Sequence, residues 1–161
     1  MKYLTILLIS AILARCHAGG KGSRVDEKLL PEFNVLLADS ATYINTRNIP
    51  EGKQVVLIYF NPRCSYCRNQ VAGITEHIEE LKNIRFYIVT DFPLSEMKRF
   101  IRESQASRYQ NITIGRDPSN YLAGYFKTRG GPCMAVYGRE KRLKSIFCRH
   151  YIRKGVQWYN G

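Results

Sequence analysis

Beyond a single Cys-x-x-Cys, the sequence has no second such pair and no His-x-x-x-His, and its three histidines, His17, His77 and His150, stand apart from one another. A structural zinc site needs four ligands. Here Cys64 and Cys67 would have to recruit two of Cys133, Cys148, His77 and His150 without zinc-site spacing, so a metal-carrying module is the third-ranked reading and no metal is expected. Acidic residues are also scarce, with 13 Asp and Glu against 25 Lys and Arg and a net charge of +12. The excess gathers late, at Arg139, Lys141, Arg142, Lys144, Arg149, Arg153 and Lys154. Nucleic acid is the reflex partner of such a chain, but the leader described next argues against it. These residues alternate with apolar ones, as on the solvated face of strands; an anionic membrane surface or an acidic partner is the next reading. No internal repeat and no low-complexity segment is present, which excludes a repeat array.

Nor is there a long apolar run at the N-terminus: Leu4 to Leu13 is too short to span a bilayer. Preceded by Lys2, it reads instead as the core of an export signal over residues 1–18. Leu13-Ala14-Arg15-Cys16 is similar to the lipobox of bacterial lipoproteins, whose cysteine becomes the lipidated first residue, although Arg15 stands where a small residue is expected. Cleavage after Ala18 is the alternative. Lipidation of Cys16 is preferred, because residues 19–29 open with Gly19-Gly20-Lys21-Gly22-Ser23-Arg24, a tether suited to an anchored domain. Without residues 1–15 the net charge is still +10. Residues 30–161 are of single-domain size and long enough to bury a full core. Under either reading of the leader, Cys16 lies outside the redox chemistry of that domain.

Around Cys-x-x-Cys the local order is strand, breaker, motif, helix. The apolar run Val55-Val56-Leu57-Ile58-Tyr59-Phe60 suits a central strand covered on both faces. Asn61-Pro62 interrupts it, and Arg63-Cys64-Ser65-Tyr66-Cys67 opens a helix expected over about residues 64–82. Cys67, Val71, Ile74, Ile78 and Leu81 fall on one face of that helix. Cys67 therefore points inward and Cys64 occupies the tip. There the unpaired backbone N–H groups and the positive end of the helix dipole favour an anion, and Arg63 and Arg68 add charge. The thiolate is the nucleophile of disulfide exchange, so Cys64 is the expected attacking thiol, with a depressed pKa, and Cys67 the resolving one.

Elsewhere, alternation at Phe33, Val35 and Leu37 predicts a short strand, and Ala41 to Asn48 either a second strand or a helical turn. Ile84 to Val89 is a further strand, completing a parallel crossover. A helix is expected over about 94–106, a short strand at Ile112-Thr113-Ile114, and a helix from Asp117-Pro118 to about Lys127, with Asp117 as N-cap. Arg129-Gly130-Gly131-Pro132 precedes an antiparallel hairpin, Met134–Tyr137 with Leu143–Phe147. The aromatic and basic tail from Arg149 is unassigned, with Trp158 and Tyr159 expected against an edge of the core. If the hairpin loop is Glu140-Lys141, Cys133 faces Cys148 and the two can form a cross-strand disulfide, a second redox pair. Otherwise they are two small buried hydrophobes, or Cys133 lies near the Cys-x-x-Cys and reacts with it.

Taken together, an exported leader, a Pro-x-Phe start at Pro31-Glu32-Phe33, Gly52-Lys53 before an apolar strand, Cys-x-x-Cys heading a helix, a crossover, and Gly-Pro before a hairpin resemble the thioredoxin-like periplasmic thiol-disulfide oxidoreductases of the TlpA/ResA type over about residues 30–148. The resemblance implies an α/β thioredoxin fold, with a central mixed sheet of about four to five strands, flanking helices and a C-terminal antiparallel hairpin. It implies that Pro132 is cis and packs beside the motif, and that the backbone of Gly131 pairs with substrate; Tyr66 is a further candidate substrate contact. It also implies exchange with protein thiols and disulfides, a thiol electron donor in or at the membrane, and no diffusible cofactor. Three residues depart from the pattern. Arg63 stands where the family usually has Trp, Val71 where it often has Pro, and Ile58 where thioredoxin has a buried Asp that accepts a proton. The competing class is a non-enzymatic binding module that holds a partner on its basic hairpin and keeps Cys64 and Cys67 as a structural disulfide.

Overall fold

A computed structural model describes residues 28–128, 132–152 and 155–160, with backbone alone from residue 149 onward. The export and lipidation readings, Cys16 and Gly131 therefore lie outside the described residues, as do the side chains of His150, Trp158 and Tyr159.

Val55 to Tyr59 carry apolar side chains on both faces, so the strand they form must be covered twice. It lies within a sheet of eight strands: β1 (Asn34–Leu36), β2 (Tyr43–Asn45), β3 (Gln54–Tyr59), β4 (Ile84–Thr90), β5 (Ile112–Arg116), β6 (Cys133–Tyr137), β7 (Leu143–Ile152) and β8 (Gly155–Asn160). Their order is β2-β1-β5-β4-β3-β6-β7-β8, with β3, β4 and β5 parallel and the other pairs antiparallel. Among the described residues the α-helices are α1 (Ser65–Glu76), α2 (Leu94–Ser104) and α3 (Tyr121–Tyr125). The fold is the thioredoxin-like α/β fold that the sequence suggests, with a wider sheet. β1 and β2, where the sequence predicts a short strand and a strand or helical turn, extend the sheet on one side, and β8, formed by the unassigned tail, extends it on the other.

Two apolar layers sandwich the sheet. Val56, Ile58 and Phe60 pack with Val71, Ile78, Met97 and Phe100 beneath α1 and α2. On the other face Val55, Leu57 and Tyr59 pack with Phe33, Leu122, Phe126 and Tyr137 beneath α3. Gly115 marks a close approach between β5 and β1, since a Cβ there would sit 2.2 Å from Val35 Cγ1.

Several boundaries move for identifiable reasons. The helix after the motif ends at Glu76 and yields to turns through residue 83, while Ile78 and Leu81 still pack on the predicted face. Residues 43–48 are both a strand and a 3-10 turn. Asp117 does not start a helix at Pro118; its buried carboxylate accepts from the Ser119 N–H at 3.0 Å, the Ser119 hydroxyl at 2.6 Å and the Leu122 N–H at 2.8 Å, and α3 begins only at Tyr121. Aspartate offers the chain a local turn that competes with helix.

The β6–β7 hairpin pairs Cys133 with Cys148, Met134 with Phe147, Ala135 with Ile146 and Val136 with Ser145, then slips one residue at Tyr137 and Leu143. Its loop is Arg139-Glu140-Lys141, closed by Gly138 N–H to Arg142 O at 2.8 Å, with Lys141 at φ 58°. One extra loop residue is thus absorbed by a bulge, and the register beyond the bulge equals that of a two-residue loop. Cys133 and Cys148 form a disulfide.

Candidate active site

The loop between β3 and α1 places both motif cysteines. Asn61 folds it: the side-chain Oδ1 accepts from the Arg63 N–H at 2.8 Å and the backbone carbonyl from the Cys64 N–H at 3.0 Å. Cys64 is the N-cap of α1 and half-buried, its carbonyl accepting the first helical bond from the Arg68 N–H at 3.1 Å. Cys67, three residues on, is fully buried among Val71, Ile58 and Phe60. Both are free thiols.

Burial is the largest influence on Cys67 and pushes its pKa up to about 12; the charge of Cys64 and a hydrogen bond to it act in the same direction. Two backbone N–H groups oppose them: that of Asn61, which points at the Cys67 sulfur at 3.4 Å, and that of Cys67 itself both favour its anion. The two thiols thus share the first turn of α1, one reachable and one enclosed. The unfolded chain ionises this thiol from about pH 8.5, whereas the folded chain keeps the proton to about pH 12. The stability it contributes is complete below the lower value and lost as pH rises through the window, at about 1.4 kcal/mol per unit. Between about pH 7 and about pH 10, urea unfolding of the reduced protein should lose about 1.5–2 kcal/mol more than that of Cys67→Ala. Equal losses would mean that the buried thiol does not set the alkaline limit.

Arg63 and Arg68 are committed elsewhere. Arg63 Nε donates to Glu96 Oε2 at 2.7 Å, Nη2 bonds Glu96 Oε1, and the guanidinium lies 5.9 Å from the Phe92 ring centre. That pairing holds the Glu96 carboxyl below its ordinary range. Arg68 Nη1 donates to Glu103 Oε2 at 2.7 Å and Nε to the Pro62 carbonyl at 3.0 Å. Both cations thus clamp the motif to α2, through carboxylates that neutralise much of the field they were expected to lend Cys64. Sequence reading missed Asn61, Glu96 and Glu103; Asn-Pro before the motif was the available signal for the first.

At the end of β3, the Tyr59 hydroxyl donates to Asp91 Oδ1 at 3.1 Å, and burial, Asp91 and Cys67 together raise its pKa. Ile58, at the position of the thioredoxin Asp, is fully buried in the layer that holds Cys67. Tyr66 is exposed on the outer side of the first turn of α1. Pro132 is buried immediately before β6, whose Cys133 pairs with Tyr59. Among the described residues no peptide bond is cis, and the Gly131–Pro132 bond lies outside them. Cys133 and Cys148 belong to the apolar layer beneath α3 and Cys67 to the layer beneath α1. The sheet therefore stands between the disulfide and the free pair, and Cys133 is not the neighbour of Cys67 that one reading of the sequence required.

A family model described as AhpC/TSA matches residues 27–146. No curated protein matches the chain. Among solved structures, a secreted Mycobacterium tuberculosis disulfide oxidoreductase homologous to E. coli DsbE superposes with a TM-score of 0.57 at 13% identity, covering 80% of this chain and 83% of that one. MTB dsbF, in mixed oxidized and reduced forms, has a TM-score of 0.60 at 15% identity over 75% and 87% of the two chains. Enterococcus faecalis AhpC has a TM-score of 0.61 at 16% identity over 81% and 83%. At these identities the likeness is one of fold.

Proposed function

Because the chain belongs to the AhpC/TSA family of thioredoxin-like redox proteins, we propose that it is a thiol-disulfide oxidoreductase acting on protein substrates in the cell envelope through Cys64 and Cys67. The observation that carries this reading is a half-buried free cysteine at the N-cap of α1 with a fully buried free cysteine three residues on in the same turn.

The Cys64 thiolate attacks a substrate disulfide, forming a mixed disulfide and releasing one substrate thiolate. Loss of the Cys64 charge removes part of what kept Cys67 protonated, and the Asn61 N–H receives the thiolate that then forms. Cys67 gives up its proton and attacks the Cys64 sulfur. The Cys64–Cys67 disulfide forms, the second substrate thiolate leaves, and two electrons have passed to the substrate. Return to the dithiol needs a thiol donor; run in reverse, the same steps oxidise a substrate. Gly131 and Pro132 are proposed to hold the substrate backbone and Tyr66 to touch its side chains.

Equilibration with glutathione buffers, followed by alkylation and mass mapping, tests the reading. A reversible two-electron titration in which Cys64 and Cys67 interconvert while Cys133 and Cys148 stay bonded supports it, and the midpoint separates reductant from oxidant. A Cys64–Cys67 bond that yields only on unfolding would establish the binding-module alternative instead.

A further inference from the structure

The cations of this chain are treated differently at its two ends. Beside the motif, Arg63, Arg68 and Arg99 face carboxylates, Glu96 and Glu103. At the opposite pole lie the start of β3, the start of β4 and the β6–β7 loop. There Lys53, Lys82, Arg85, Arg139, Lys141 and Lys144 gather, all exposed or half-exposed. Their visible bonds go to backbone carbonyls: Lys53 Nζ to Lys82 O at 3.3 Å, Arg85 Nη1 to Pro50 O at 2.6 Å and Lys141 Nζ to Arg47 O at 2.9 Å. A carbonyl satisfies a donor without cancelling its charge. The carboxylates of the pole, Glu32, which pairs with Arg47 at 3.8 Å, and Glu51, Glu79, Glu80 and Glu140, are fewer. Lys53, Lys82 and Arg85, with Glu79, Tyr109 and Asn111, also line an open groove of about 440 Å³.

The N-terminal segment enters at this same pole. Leu30 N–H donates to Lys141 O at 2.9 Å, Leu143 N–H donates to Lys28 O at 2.8 Å, and Leu29 bridges to Arg142. Leu29 is 60% exposed, an apolar side chain standing among cations. The residues ahead of it are, in sequence, the Gly-rich tether, Cys16 and the apolar run.

From these coincident features we propose that the pole around Lys53, Lys82, Arg85 and the β6–β7 loop docks on the anionic headgroups of a membrane, orienting the domain with Cys64 facing away from the lipid. The partner class follows from the charge and from where the chain enters: a diffuse cationic face with one exposed leucine suits a headgroup layer, and a segment leaving through that face can reach the bilayer without crossing the domain. The setting rests on the cell-envelope reading above, but the test does not use thiol chemistry, so either can fail alone.

The test is sedimentation of the full chain with vesicles of phosphatidylcholine alone or with about one-third phosphatidylglycerol, at low and high salt. Each basic residue near an anionic surface strengthens partitioning about fivefold. Lys53→Glu with Lys82→Glu and Arg85→Glu should therefore weaken binding to anionic vesicles at least about tenfold. An equal charge change elsewhere, Lys98→Glu with Arg102→Glu and Lys127→Glu, should weaken it no more than about threefold. The glutamine versions of the first three should fall in between, and the far-ultraviolet circular dichroism of each variant reports its fold. Binding unaffected by the pole variants, equal binding to neutral vesicles, an equal loss in the control, or competition by a short DNA duplex as strong as that by lipid would each overturn the proposal.

Discussion

Replacing Cys64 by serine is expected to reduce disulfide exchange at least about 10³-fold, because a hydroxyl at the tip of α1 cannot supply the thiolate that attacks sulfur. Cys67 cannot take over: it has no exposed surface, and its pKa of about 12 leaves almost no thiolate at neutral pH. The complementary substitution separates the two roles. Cys67→Ser keeps the attacking thiol but removes the group that resolves the mixed disulfide, so a disulfide-bonded model peptide should accumulate covalently on Cys64. Intact-mass analysis over time reads both results. More than about one-hundredth of wild-type exchange in Cys64→Ser, or a peptide adduct mapped to Cys67, would reverse the assignment of roles.

The second large effect concerns stability rather than exchange. Cys133 and Cys148 close a loop with a sequence separation of 15, between two strands already in register. A bridge over a loop of that length is worth about 3 kcal/mol in the chain-entropy account. Cys133→Ala with Cys148→Ala should lose about that much, with a midpoint lowered on the order of 10 °C. Both sulfurs are buried in the layer opposite Cys67, so the rate of exchange per folded molecule should remain within about threefold of wild type. A much larger fall in exchange with the fold retained would instead identify the disulfide as a second redox pair in series with the first.

What could be read before folding was local. The apolar run at Val55–Phe60, the break at Asn61-Pro62 and the helical spacing from Cys67 to Leu81 each lie within about twenty residues, and together they indicate an exposed cysteine at a helix start and a buried one behind it; the structure half-buries the first. The hairpin register shows how close local reading comes. The loop is one residue longer than expected, and a bulge at Tyr137 restores the alignment of Cys133 with Cys148. The start of α3 failed because Asp117 bonds its own following backbone, a choice that neither helix periodicity nor a capping rule decides.

By itself, then, the sequence determined the kind of chemistry and the elements that carry it, since thiol spacing, breakers and periodicity act between near neighbours. Only the tertiary structure decided what surrounds them. It ties Arg63 to Glu96 and Arg68 to Glu103, 33 and 35 residues away, so charges that look free in the chain are largely spent on holding α2. It sets the sheet between the disulfide and the free pair, and gathers Lys53, Lys82, Arg85 and the hairpin loop at the pole where the chain enters. Such juxtapositions depend on strand order and on which face each side chain takes, and both emerge only when all the strands compete for one core.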